Sequence, residues 1–292
     1  MSAGRSKPVL RATGDVMLKD IVVNLSVGEA SDAATAYAVS VAATFEAHLA
    51  GIAFNYEPSM AEFGYEGVAV SLIEAERAKA QGAADTAIAR FEESARRQGL
   101  SAESHRIDAS FVAAGARFTT LARRFDLSVV TQAEPRKVVP EGMIIEAALF
   151  ESGRPVLAVP YIQKAGLTLD RVMVAWDGSR TAARAAGDAM PFLMRAKTVE
   201  VVTVTSERVK SVEMPGADIA HHLARHGLNV AVQRIVSTET DVASTLRSHA
   251  ADAGTDFIVM GGYGHSRLRE FVLGGATRGI LGAMTAPVLM SH

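Results

Sequence analysis

Near its C-terminus the chain reads GGYGHSRLREFVLGGATRG, from Gly261 to Gly279, and six of these nineteen residues are glycine. With 24 glycines in 292 residues, a window of this length would hold about one or two at the average rate. Two chemistries compete for the pattern. The glycines can make two tight turns flanking a loop. They can also present a row of backbone N–H groups to phosphate, with no Cβ to hold the ligand away. The flanks bear on the choice. The apolar run FIVM, Phe257–Met260, comes before, and from Gly274 the chain reads as the opening of a helix through Gly275, Ala276 and Thr277. A helix N-terminus supplies unpaired N–H groups and the positive end of the helix dipole, which suits an anion. Thr277 adds a hydroxyl, and His265, Arg267 and Arg269 add positive charge above the phosphates.

Such a cradle needs a scaffold, and an internal repeat supplies it. KDIVVNLS at Lys19–Ser26 resembles DRVMVAWD at Asp170–Asp177, and LAGIAF at Leu49–Phe54 resembles VEVVTV at Val199–Val204. FDLSVVTQ at Phe125–Gln132 matches TDFIVMGG at Thr255–Gly262, and RPVLAVP at Arg154–Pro160 matches APVLMS at Ala286–Ser291. The order is the same in both halves, with equivalents about 150 residues apart early and about 130 later. The first half therefore carries roughly 20 extra residues, in and after NYEPSMAEFGYEG. Residues 17–162 and 168–292 are expected to be two domains, joined by the linker Gln163–Thr168 with Gly166.

Within each half, apolar strands alternate with helical patterns. Helices are expected over Val39–Leu49, Ile73–Gln98, Ala182–Met194, Ile219–His226 and Val242–Ala253. Runs such as IVV, VMVAW, FIVM and PVLM are apolar throughout, as strands of a parallel sheet covered on both faces must be. The expected fold class is α/β: two tandem doubly wound domains, each a five-stranded mainly parallel sheet flanked by helices. Ligands of such sheets bind beyond the C-terminal strand ends, where the strand order reverses. In the second half those ends carry Ala175, Trp176 and Asp177 after strand one, Val204 after strand two and Met260-Gly261 after strand four. Asp177 is suited to accept hydrogen bonds from an adenine amino group or a ribose hydroxyl. Val204 and Met260 are suited to sandwich the ring.

With these residues assembled, the sequence resembles a tandem universal stress protein. The family's nucleotide motif is G-x2-G-x9-G-[S/T], and Gly261, Gly264 and Gly274 match it at the right spacing. Asp177 and Met260-Gly261 match the strand-one Asp and the strand-four Met-Gly. The similarity covers nearly all of residues 17–292. It implies a five-strand order of 3-2-1-4-5 in each half, with ATP or a related adenine nucleotide, with or without Mg2+, held in the second half. It also implies a role in stress response or regulation, antiparallel pairing of the last strands of the two halves, and by analogy further homodimerisation. Gly275 stands where the family pattern has Ser or Thr, so one phosphate-binding hydroxyl is missing. The first half departs further. Ser26 stands in place of Asp177, and Gln132-Ala133-Glu134-Pro135-Arg136-Lys137 replaces the glycine loop. Glu134 would repel phosphate and Pro135 removes an N–H donor, so this half is expected to be degenerate as a nucleotide site.

Blander readings stand beside these. Asp177 with Gly178-Ser179 also fits an Asx turn that caps the next helix. Trp176 reads first as packing, and Glu74, Glu76, Arg77 and Lys79 as a solvated helix face. His222 and His226 are spaced i,i+4, but no carboxylate completes a metal-binding HExxH pattern. GHSR at Gly264–Arg267 lacks the glycine that a nucleophile elbow needs. No catalytic residue stands out, so an interaction scaffold without nucleotide and a slow ATPase remain the alternatives to a nucleotide-binding regulator. The net charge of −2 creates no positive field for nucleic acid, and no cysteine is present for disulfide, thiolate or Cys-ligated metal. No apolar stretch is long enough to span a membrane, and a cytoplasmic location is expected.

Overall fold

A computed structural model describes residues 18–29, 32–56, 70–134, 140–206, 216–237, 241–262 and 275–292. The strands are β1 (Asp20–Asn24), β2 (His48–Tyr56), β3 (Ala102–Ala109), β4 (Leu127–Thr131), β5 (Val156–Val159), β6 (Arg171–Ala175), β7 (Thr198–Ser206), β8 (Val230–Ser237), β9 (Phe257–Gly261) and β10 (Val288–Ser291). The helices are α1 (Ala33–Phe45), α2 (Val70–Arg97), α3 (Phe111–Ala122), α4 (Glu141–Glu151), α5 (Arg180–Asp188), α6 (Met190–Leu193), α7 (Ala217–Arg225), α8 (Val242–Asp252) and α9 (Gly275–Ala283).

The strands form one ten-stranded sheet in the order β3-β2-β1-β4-β5-β10-β9-β6-β7-β8. Read inward from its outer edge, each half has the order 3-2-1-4-5 with all pairs inside it parallel. The halves join where β5 meets β10 antiparallel, with Val156, Leu157 and Ala158 opposite Met290, Leu289 and Val288. This is the intramolecular pairing expected of the two PVL strands. It removes two apolar edges that would otherwise stand open.

The continuous apolar runs become strands because both sheet faces are covered. Ile21 and Val23 face one core and Val22 the other, and all three are fully buried. One core lies under α1, α2, α5, α6 and α7, the other under α3, α4, α8 and α9. Both cores run through the two halves without a break. Phe45 of α1 meets Phe192 of α6 edge-on at 4.9 Å, and Phe192 stacks on Phe257 at 5.0 Å. The connecting segment is pinned as well, since Leu167 N–H donates to Ser40 Oγ at 2.9 Å.

Local chemistry shifts several elements from their expected places. α1 begins six residues before Val39, because Asp32 caps it by accepting from Thr35 N–H at 2.9 Å. It ends at Glu46, whose left-handed φ of 53° turns the chain so that His48 already starts β2. The helix expected over Ala182–Met194 is two helices, with Ala189 closing α5 and Pro191 seated in the first turn of α6. The edge strands β3 and β8 are largely exposed or half-buried, whereas the central strands are buried almost throughout. β3 carries Glu103, His105, Arg106 and Asp108, charges that also guard an edge against pairing with another chain. No helix among the described residues is long and apolar enough to cross a membrane.

Because both cores cross the β5–β10 seam, the halves should unfold together. Leu289→Ala removes a fully buried side chain opposite Leu157 and should cost about 2–5 kcal/mol. The expected result is a single thermal transition, monitored by circular dichroism and calorimetry, shifted down as one unit. Two separated transitions, with only one moved, would show that the seam does not couple the halves.

Candidate functional site

In the second half the connections from β6 and β9 leave the sheet in opposite directions, β6 toward its neighbour β7 and β9 toward β10. The C-terminal ends of β6 and β9 thus frame the crevice of a doubly wound sheet. Ala175 lies beside Met260 on one side and Val202 on the other, and Trp176 N–H donates to the Val202 carbonyl at 2.8 Å. Ala175, Val204 and Met260 all belong to the α8–α9 face of the sheet. Met260 is buried, while Ala175 and Val204 are half-buried at the rim. Val204 and Met260, the two residues expected to sandwich a ring, therefore share this face with Ala175. Trp176 is not with them: its ring packs on the opposite face against the α5–α7 core, which is its expected packing role.

Asp177 sits at the mouth, exposed, and one of its carboxylate oxygens is engaged. Its Oδ1 accepts from Ser179 N–H at 2.9 Å, and Gly178 between them has φ of +76°. Ser179 then caps α5, its Oγ accepting from Ala182 N–H at 3.1 Å. The Asx turn is real and leaves Oδ2 without a hydrogen-bond partner among the described residues. Asp177 can hold the turn with one oxygen and meet a ligand with the other.

Gly261 has a reason of its own. A Cβ there would lie 2.6 Å from the Ala182 backbone nitrogen and 2.7 Å from the Thr181 carbonyl carbon. The first turn of α5 occupies the space, so the glycine lets this helix start directly against β9. Gly262 makes room for Leu149 of α4, 2.7 Å from where its Cβ would be. Across the crevice, α9 opens at Gly275. That residue is exposed, its φ is not positive, and an added Cβ would meet no atom of the described residues within 4 Å. Ala276 is half-buried, whereas Thr277 is only 2 % exposed. α9 is held close to α8 by Gly279, where a Cβ would lie 2.6 Å from that of Ala243. Gly264, His265 and Gly274, together with Arg267 and Arg269, lie outside the described residues.

Two basic residues not singled out from the sequence stand at the same strand ends. Arg180 opens α5 three residues after Asp177 and is exposed. His292 follows Ser291, the partner of Gly261, and its ring meets Phe150 at 5.0 Å. Burial, and then the guanidinium groups of Arg180 and Arg184, hold the His292 imidazole below its ordinary pKa. Arg180 was open to reading from its place next to the Asp-Gly-Ser turn. Nothing local marks His292, which reaches Gly261 only through the β9–β10 pairing. Among the described residues no group of three or more His, Asp or Glu side chains is placed to hold a metal ion.

The first half builds the same crevice and fills it differently. By register, Asn24, Ser26, Phe54 and Thr131 occupy the places of Ala175, Asp177, Val204 and Gly261. The Ser26 and Thr131 hydroxyls, both buried, are hydrogen-bonded at 3.1 Å across the β1–β4 mouth. Phe54 is fully buried. Glu134 follows in the loop, half-buried, and Pro135, Arg136 and Lys137 lie outside the described residues. The Gly261 analysis yields a direct test. Gly261→Ala must push α5 from β9 and should lower the melting temperature, by an amount typical of core overpacking, about 1–3 kcal/mol. Gly275→Ala, with open space around it, should leave stability within about 1 kcal/mol of the parent. Equal effects of the two in thermal denaturation would contradict the close approach of α5.

Known proteins share this fold. The family model described as the universal stress protein family matches residues 168–292. Among solved structures, a universal stress protein from Archaeoglobus fulgidus is similar over 92 % of this chain and 97 % of that chain, at 14 % identity and TM-score 0.63. A functionally unknown protein from Pseudomonas aeruginosa is similar over 94 % and 92 %, at 13 % identity and TM-score 0.61. A universal stress protein in complex with cAMP is similar over 49 % of this chain and 97 % of that chain, at 21 % identity and TM-score 0.34. A search of curated proteins found no match. Residues 168–292 belong to the universal stress protein family, and the chain as a whole has the fold of a tandem universal stress protein.

Proposed function

We propose that the chain is a nucleotide-responsive regulator of the stress-protein type, binding one adenine nucleotide, ATP or a relative, in the crevice of residues 168–292. The observation that supports this best is the contrast between the two crevices. At one, Asp177 keeps an unused oxygen, Ala175, Val204 and Met260 form an apolar rim, and α9 starts with open space at Gly275. At the other, the Ser26–Thr131 hydrogen bond and Phe54 occupy the equivalent places. Residues 17–162 then serve as a domain without a nucleotide site of this kind.

In this reading Gly261, Gly264 and Gly274 bring the chain close to the phosphates, and the N–H groups of Gly275, Ala276 and Thr277 receive them at the α9 N-terminus. Arg180 and His265 add positive charge. With Gly275 in place of a hydroxyl side chain, backbone N–H groups and Thr277 carry most of the phosphate contact and affinity is modest. Mg2+ would bind through the phosphates. Binding rather than turnover is the activity assigned.

Isothermal titration with ATP tests the reading. The parent should take up at most one nucleotide per chain. Gly275→Ser restores a hydroxyl where the backbone and the surrounding space accept it. It should tighten binding by about tenfold to a hundredfold, since a hydrogen bond to a charged group is worth about 1.5–3 kcal/mol. Gly264→Val should weaken binding, with folding checked by circular dichroism. A parent that binds no ATP, or two equivalent nucleotides per chain, sinks the proposal. Product release over hours of incubation would instead favour a slow ATPase.

A further inference from the structure

Asn24 ends β1 and is 1 % exposed, yet among the described residues neither its Oδ1 nor its Nδ2 has a hydrogen-bond partner. A buried amide with both sides unused is costly, and such groups call for a ligand, an ion or a water. The fold does not need an amide here, because Ala175 fills the equivalent place in the second half. Asn24 alternates with Val22 and so faces the α3–α4 side of the sheet, where its neighbours on β2 are Ile52 and then Phe54.

From Phe54 a row of rings leads to the surface. Phe54 lies 6.0 Å from Tyr56, and Tyr56 stacks on Phe111 at 4.5 Å with 20° between the planes. Phe54 is fully buried, Tyr56 half-buried and Phe111 40 % exposed. Acidic groups stand where the second half has its glycine loop and helix start. Glu134 follows β4, and Glu141 opens α4 close enough for its carboxylate to add to burial in pushing the Tyr56 phenol up. Carboxylates in those places disfavour phosphate. Rings and a carboxamide favour a flat molecule with a donor and an acceptor side by side.

We propose that the first half holds a second ligand site, at the C-terminal ends of β1 and β2, where the unpaired Asn24 amide and the Phe54–Tyr56–Phe111 row take an uncharged planar heteroaromatic molecule with an amide-like edge. A nucleobase, a nucleoside or a pyridine carboxamide has this chemistry, and a nucleotide does not. The site does not depend on nucleotide binding in the second half.

The probes are adenosine and nicotinamide, titrated against the full chain by calorimetry and ligand-observed NMR, with ATP in parallel. At least one probe should bind the parent, and Asn24→Leu should weaken that binding by roughly tenfold or more, the loss of one hydrogen-bonded edge. The ATP titration should not change. Without ligand, Asn24→Leu should melt no lower than the parent, because an unpaired amide is replaced by an apolar group of similar volume. Asn24→Ala, which installs the residue of the second half, carries the same test if the leucine variant does not fold. Failure of both probes to bind at millimolar concentration overturns the proposal. So does binding that survives both substitutions, which is what adenosine held only in the second half would give. A crystal structure with the probes present in which water alone satisfies Asn24 overturns it equally.

Discussion

Everything in this molecule is referred to three residue pairs, Val156–Met290, Leu157–Leu289 and Ala158–Val288, where β5 and β10 run antiparallel. They turn two five-stranded sheets into one. Because all other pairs are parallel, this reversal makes the strands of the two halves point in opposite directions. The two crevices therefore open at opposite ends of the sheet, and a ligand in one cannot touch the other. The seam also brings each half's last helix against the loop that follows the other half's fourth strand. Gln132 Nε2 donates to the Leu281 carbonyl of α9 at 2.8 Å, and Leu149 of α4 fills the space over Gly262. Each crevice is thus partly built by the opposite half.

The repeat shows how a fold and a site separate. Backbone topology is the same in both halves, and so is the apolar alternation that sets it. What differs lies in the last residue of a strand and the first residues after it. There a side chain adds little to the pairing of the strands, so composition is free to drift toward a different use. Ser26 and Thr131 are joined across one mouth by a hydroxyl–hydroxyl bond of 3.1 Å, whereas Gly261 has no side chain to bond across the other. Gly261 also shows that a motif glycine can serve two needs at once. The helix that must start against β9 excludes a Cβ there whether or not a ligand is bound.

The fold was largely legible in the chain. Doubly buried strands must be apolar throughout, so IVV, VMVA, FIVM and PVLM could be read as a parallel sheet, and their repetition in order gave two copies. β3 and β8 were harder, since an edge strand is half solvated and carries the polar residues of a loop. Helix ends depended on single groups: the Asp32 cap, the left-handed Glu46 and Pro191. A window of helical periodicity does not see such groups. Of the site, Asp177, Met260 and Gly261 were legible because they sit at fixed offsets from strands, and Val204 because it ends the strand paired with β6.

What the sequence determined by itself was therefore the pattern: two doubly wound halves, the pairing of their final strands, and one glycine-rich switch point against one acidic one. These follow from local rules, hydrophobic period and turn chemistry, which act within a few residues. What only the tertiary structure decided was direction and company. It turned the Trp176 ring away from the crevice and buried Thr277. It brought His292 close to Gly261 through the β9–β10 pairing and left the Asn24 amide buried, without a partner among the described residues, near a row of rings. The physical reason is that a side chain's surroundings are set by the strands and helices packed on it, and in a sheet with crossover connections those come from distant parts of the chain.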